Sequence, residues 1–108
     1  MDWNRRAFFF AAPFSFSGAN LARAKPKAHF LRISAMAFEP PPAGLRVGDE
    51  IEWINSDGFR HTATARNGDF DLDLMPGRRG RTVLHRPGAI DFYCRYHPSM
   101  RGRLDVRG

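Results

Sequence analysis

After residue 24 the chain never sustains the period of an amphipathic helix; it breaks into short extended stretches, each cut off by turn residues. Such a pattern buries apolar area only by pairing strands and packing sheets face to face. It therefore predicts an all-β fold, either an antiparallel β-sandwich or a Greek-key barrel. The clearest stretch is Glu50-Ile51-Glu52-Trp53-Ile54-Asn55, in which acidic and apolar side chains alternate. Ile51 and Trp53 belong to one face of that strand and Ile54 to the other.

The remaining stretches follow the same logic. Ala28 to Phe38 is a first extended segment, Pro40-Pro41-Pro42 a stiff turn, and Leu45 to Val47 a short strand ended by Gly48-Asp49. Ser56-Asp57-Gly58 breaks the chain before His61 to Ala65, Asn67-Gly68 is a hairpin signal, and another strand should follow it. Arg79 to His85, Ala89 to Cys94 and Arg103 to Val106 complete the set, with Pro87-Gly88 as a turn. No repeat or low-complexity tract divides the chain, and 108 residues support one domain.

The first 24 residues read as an address. Arg5-Arg6 gives a basic start, Ala7 to Phe16 is mostly apolar, and Ala22-Arg23-Ala24 has the A-x-A form of a cleavage site. The arginine pair ahead of Ala7-Phe8-Phe9-Phe10 resembles a twin-arginine export signal. The expectation is a cleavable signal peptide over 1–24, a mature domain over 25–108, and a periplasmic location. No apolar run reaches the roughly 20 residues of a membrane-spanning helix. The net charge is +6, and without residues 1–24 it is +4, from 14 basic and 10 acidic side chains. That excess is moderate and accompanies no nucleic-acid motif, so no nucleic-acid partner is expected.

Cys94 is the only cysteine, which forbids an internal disulfide and calls for another account of a thiol in an exported chain. Cys94-Arg95-Tyr96-His97-Pro98-Ser99-Met100 supplies one: a thiolate, an imidazole and a thioether three residues apart, between two strands. His61, just after a turn, can add a second imidazole. Two His and one Cys in a trigonal arrangement with a weak axial Met form the blue-copper electron-transfer site. Zinc wants a better fourth ligand than a thioether, iron–sulfur clusters need more cysteines, and haem attachment needs C-x-x-C-H. A site without an open coordination position argues for a carrier and against an enzyme. His29 and His85 lack such company and are expected to be surface residues.

The chain resembles the cupredoxins from about Ile33 to Val106, and among them the amicyanin and plastocyanin branch. The likeness is carried by Ile33-Ser34-Ala35-Met36-Ala37-Phe38-Glu39-Pro40, Val47-Gly48-Asp49-Glu50-Ile51-Glu52-Trp53-Ile54-Asn55, Pro87-Gly88 through Cys94, and His97-Pro98 through Gly102. The resemblance implies a cupredoxin-like Greek-key β-sandwich or barrel holding one type 1 copper through His61, Cys94, His97 and Met100. It implies that His97 is the ligand nearest the surface, with Phe59, Pro98 and Met36 in an apolar patch around it. It also implies a monomer that exchanges single electrons with a redox protein, a dehydrogenase or a c-type cytochrome. In relatives with similar short loops the reduced protein can exchange metal for a proton at the His97 position. The alternative function is a periplasmic copper chaperone or buffer.

Two departures from the family pattern carry expectations of their own. Thr62 stands where Asn is usual after the first His, so its hydroxyl is expected to tie the ligand loops together less well. Tyr96 stands where amicyanin has proline, so its N–H is expected to donate to Cys94 and raise the reduction potential relative to a Tyr96→Pro variant. Arg60, Arg95 and Arg101, with Arg78 and Arg79, cluster in sequence around the copper end, which suggests an acidic docking surface on the partner.

Overall fold

The computed structural model describes residues 25–108; the expected leader, 1–24, lies outside the described residues. Among the described residues nine strands form: β1 (Ala28–Ser34), β2 (Ala37–Phe38), β3 (Leu45–Arg46), β4 (Glu50–Asn55), β5 (His61–Ala65), β6 (Asp71–Leu74), β7 (Arg79–Val83), β8 (Gly88–Tyr93) and β9 (Arg101–Arg107). They make two sheets, ordered β2-β1-β4-β7 and β3-β9-β8-β5-β6. No helix among the described residues is long and apolar enough to cross a membrane.

The all-β expectation holds, with two differences in detail. First, β1 pairs with β4 and β3 with β9 in parallel, so neither sheet is purely antiparallel. Both parallel pairs join strands distant in sequence, which strand periodicity cannot register. Second, the stretch from Ala28 to Phe38 is a hairpin. The chain reverses at Ala35 (φ 52°) and Met36 (φ 59°), so that Ser34 pairs with Ala37. Two non-glycine residues at positive φ cost on the order of 1 kcal/mol each, and the Asn-Gly signature of such turns is missing. Part of the compensation comes from outside the hairpin, where the Met36 N–H donates to Asp57 Oδ2 at 2.8 Å.

The core lies between the sheets and centres on Trp53. Its ring meets Phe38, Phe70 and Phe92 at centroid distances of 6.1, 5.4 and 5.1 Å, and its Nε1–H donates to the buried Thr82 hydroxyl at 2.9 Å. As the alternation predicts, Ile54 stands apart from this core although it too is buried. Phe92 is directly opposite Gly102 in the β8–β9 register, and a Cβ at Gly102 would meet its ring at 2.5 Å. That glycine lets the aromatic lie flat across β9 just before the chain reaches the candidate site.

At the other end of the sandwich Asp49, 4% exposed, anchors the start of the domain. Its carboxylate accepts the N–H groups of Lys27 at 3.0 Å and Arg46 at 3.1 Å, and meets His29 Nε2 at 2.9 Å. His29 is therefore a half-buried partner of Asp49, which corrects its reading as a simple surface residue; His85 is exposed as expected. Burial pushes the Asp49 carboxyl up, but the bonds from Lys27, His29 and Arg46 outweigh it and hold the group below its ordinary range. A depressed carboxyl contributes stability that is complete above its unfolded value of about 3.9 and is lost as pH falls through the folded value. Asp49→Ala should cost about 2–3 kcal/mol at neutral pH, and the loss should shrink in acid. Urea unfolding of both proteins across the acid range checks this.

Candidate metal centre

The loop from Cys94 to Met100 is closed by its own backbone. Cys94 follows the last residue of β8, and its N–H donates to Met100 O at 3.0 Å; the Met100 N–H donates to His97 O at 2.8 Å. The chain thus leaves β8, turns once and enters β9 with Cys94 and Met100 buried and His97 half-exposed. His61 begins β5, next to β8 in the same sheet, and is fully buried.

These two segments bring three donors together. One donor atom from each of His61, Cys94 and His97 lies within 4.8 Å of the others. The Nδ1 atoms of His61 and His97 are 3.8 and 3.7 Å from Cys94 Sγ, and the imidazole rings are 5.1 Å apart at 64°. A trigonal centre with metal–sulfur and metal–nitrogen bonds of about 2.3 and 2.0 Å separates sulfur from nitrogen by about 3.7 Å. The spacing therefore fits a metal ion. Met100 adds a buried thioether side chain from the same loop. Two imidazoles, one thiolate and a thioether are the donor set of type 1 copper. His29 and His85 stand outside this group.

His61 and Cys94 are each oriented by a partner behind them. His61 Nε2 lies 2.9 Å from Asp57 Oδ2. A proton on Nε2 donated to the carboxylate leaves the Nδ1 lone pair facing the sulfur. The bond from His61, then that from Met36, holds the Asp57 carboxyl below its usual range. Asn55, fully buried, fixes the loop that carries Asp57: its Nδ2 donates to Phe59 O at 2.8 Å and Leu74 O at 3.0 Å, and its Oδ1 accepts the Asp57 N–H at 2.9 Å. Asp57 and Asn55 act on the site although the sequence marks one as a turn residue and the other only as a strand end. The available signal was a carboxylate four residues before the first histidine.

The two departures resolve differently from expectation. Thr62 does tie the loops: its N–H donates to Cys94 Sγ at 3.3 Å and its hydroxyl oxygen accepts the Arg95 N–H at 2.8 Å. Among the described residues Thr62 is the only backbone N–H donor to that sulfur, so the bond expected from Tyr96 does not form. The Tyr96 side chain reaches outward, donating from its hydroxyl to Asp73 Oδ2 at 2.7 Å.

His97 is half-exposed, and the surface at this end of the sandwich is mixed. Phe59 and Met36 are exposed, as is Pro98. Met75 is exposed too; it follows Leu74, which pairs with His61, and so sits at the same end of the sheet. Sequence reasoning missed Met75 because it is remote from the ligands along the chain. The basic residues are largely neutralised: Arg60 forms a two-point pair with Asp73 at 2.9 and 2.8 Å, Arg95 Nε is 3.1 Å from Asp71, and Arg79 is 2.7 Å from Glu52.

Comparison with known proteins agrees with this geometry. No family model matches the chain. The methylamine utilization protein MauL of Methylorubrum extorquens is 33% identical over 78 residues, covering 68% of each chain. The chain belongs to the amicyanin-like cupredoxins. Amicyanin-alpha of the same organism is 24% identical over 82 residues, covering 70% of this chain and 69% of its own length. Amicyanin of Paracoccus denitrificans is 27% identical over 89 residues, and this chain spans 61% of its length. Among solved structures, a Cu(I) form of an amicyanin variant aligns with a TM-score of 0.63 at 26% identity, covering 85% of this chain and 90% of that one.

The contact between Asp57 and His61 predicts its own perturbation. Asp57→Ala should weaken copper binding by ~10-fold, because the His61 ring loses the acceptor that orients it and the Met36 N–H loses its partner. Competition for copper against a chelator of known affinity measures this.

Proposed function

We propose that residues 25–108 hold one copper ion through His61, Cys94, His97 and Met100 and carry single electrons between redox proteins of the periplasm. The observation that supports this most is the convergence of two Nδ1 atoms on one buried sulfur at a metal's spacing. Copper held there would supply reversible one-electron exchange between Cu(I) and Cu(II). The chain supplies the rest: a buried sulfur and a buried imidazole that exclude water, and a half-exposed His97 through which electrons leave. Amicyanin and MauL relatives favour this reading over a copper chaperone, and the residues over 1–24 favour export by the twin-arginine route. An enzymatic role has no support in a site whose donors are all committed to one ion.

The purified protein should take up one copper per chain, show an intense sulfur-to-copper absorption, and give a reversible one-electron wave. Cys94→Ser should abolish the colour. Copper bound without that band, or lost within the time of mixing with a chelator, would favour the buffer instead.

The partner is a dehydrogenase or c-type cytochrome whose docking face meets Phe59, Met36, Pro98 and Met75 around His97. An acidic rim on that face is the finer part of the proposal. With Arg60, Arg95 and Arg79 paired to carboxylates, Arg78 and Arg101, which meet no carboxylate among the described residues, are left to attract it. Between 0.01 and 0.15 M salt the screening length shrinks from about 30 to about 8 Å, so the exchange rate with an acidic partner should fall modestly. A rate that is flat or rising across that range removes the acidic rim but not the apolar docking face.

A further inference from the structure

Behind Thr62 lies a closed set of hydrogen bonds that the copper ligands do not include. Thr62 Oγ1 is 2.8 Å from Thr64 Oγ1, and the Thr64 hydroxyl donates to Asp71 Oδ1 at 2.7 Å. A hydroxyl has one proton. Thr64 spends its proton on Asp71, so it can only accept from Thr62. Thr62 therefore donates to Thr64, and its own lone pair is free for the Arg95 N–H, which it accepts at 2.8 Å. Arg95 then returns to the start, its Nε–H donating to the same Asp71 Oδ1 at 3.1 Å. Every proton in the ring is used once, and the two branches of donation end on one carboxylate oxygen.

The ring grips Arg95 at both its backbone and its side chain, and Arg95 is the residue after Cys94. Its two halves differ in strength. Thr62 and Thr64 are buried, at 0% and 8% exposed, whereas the side chains of Arg95 and Asp71 are 39% and 53% exposed. The exposed ion pair is weakened by water and salt. The hydroxyl pair is not, and a Thr62 proton without an acceptor would be stranded in a dry strand.

We propose that Thr64 and Asp71 are positioning residues of the metal centre: they fix the direction of the Thr62 hydroxyl, so that strand β5 holds the Cys94–Arg95 backbone in place. A hydroxyl thereby performs the tie expected of an amide side chain at position 62. The inference rests on the copper reading, and it assigns the rigidity of the thiolate end of the loop to a carboxylate on the neighbouring strand β6.

The test uses the copper-loaded protein and reads three quantities: the reduction potential, the sulfur-to-copper spectrum of the oxidised form, and the rate of copper release to a chelator. Thr64→Val keeps the volume and removes the hydroxyl. It should lower the potential, because a looser loop settles toward the geometry of Cu(II), shift the spectrum, and speed release by ~10-fold. Thr64→Ser should restore all three. Asp71→Ala, at an exposed position, should move them in the same direction by less, and the double variant should fall clearly short of the sum of the two, exceeding Thr64→Val only by the exposed Arg95–Asp71 contact. The proposal is overturned if Thr64→Val retains the wild-type potential and spectrum, if Thr64→Ser is displaced as far as Thr64→Val, or if the two substitutions add. Failure of the wild-type protein to bind copper with a sulfur band overturns the copper reading itself.

Discussion

The bond from the Cys94 N–H to Met100 O, 3.0 Å long, is the constraint on which the site depends. It closes the turn between β8 and β9, which brings Cys94 and His97 into one small volume and ends on the buried Met100. With the turn fixed, only the distance from His61 remains to be set, and pairing of β5 with β8 sets it: Thr64 lies opposite Tyr93, and Ala65 opposite Phe92. The sheet acts as a ruler, because the strand spacing is a property of backbone hydrogen bonds and not of the side chains that use it.

Strand β5 is buried along its whole length, which is unusual for a strand in an antiparallel setting with only one face toward the core. Ala63 and Ala65 face the inter-sheet core with the His61 side chain. The polar Thr62 and Thr64 are covered on the other side by the ligand loop and by β6. Their burial is tolerable because each hydroxyl has its partners. A strand of alternating alanine and threonine looks undistinguished, yet its alanines join the core and its hydroxyls secure the loop.

Much of this was legible along the chain. The donor types at Cys94, His97 and Met100 are local signals, as are the strand Glu50–Asn55 and the hairpin at Asn67-Gly68, which appear in the structure where periodicity put them. What escaped was non-local. The turn at Ala35-Met36 has no glycine or asparagine, because part of its support comes from a carboxylate 21 residues away. The parallel pairs unite strands with no common boundary signal. Asp57 and Asp49 read as turn residues and Asp71 carries no signal of its own; all three acquire their roles only when folding brings an imidazole, a hydroxyl or a backbone N–H against them. Charge was the most misleading signal: Arg60 and Arg95 cluster with other cations in sequence but meet Asp73 and Asp71 in space.

The solitary thiol of the chain has a consequence for how the domain is made. Nothing in the sandwich is cross-linked, so its topology is reached without an oxidant and without the shuffling of wrong sulfur pairs. The same chain can complete its core inside a reducing cell as readily as outside it, and meet its metal afterwards.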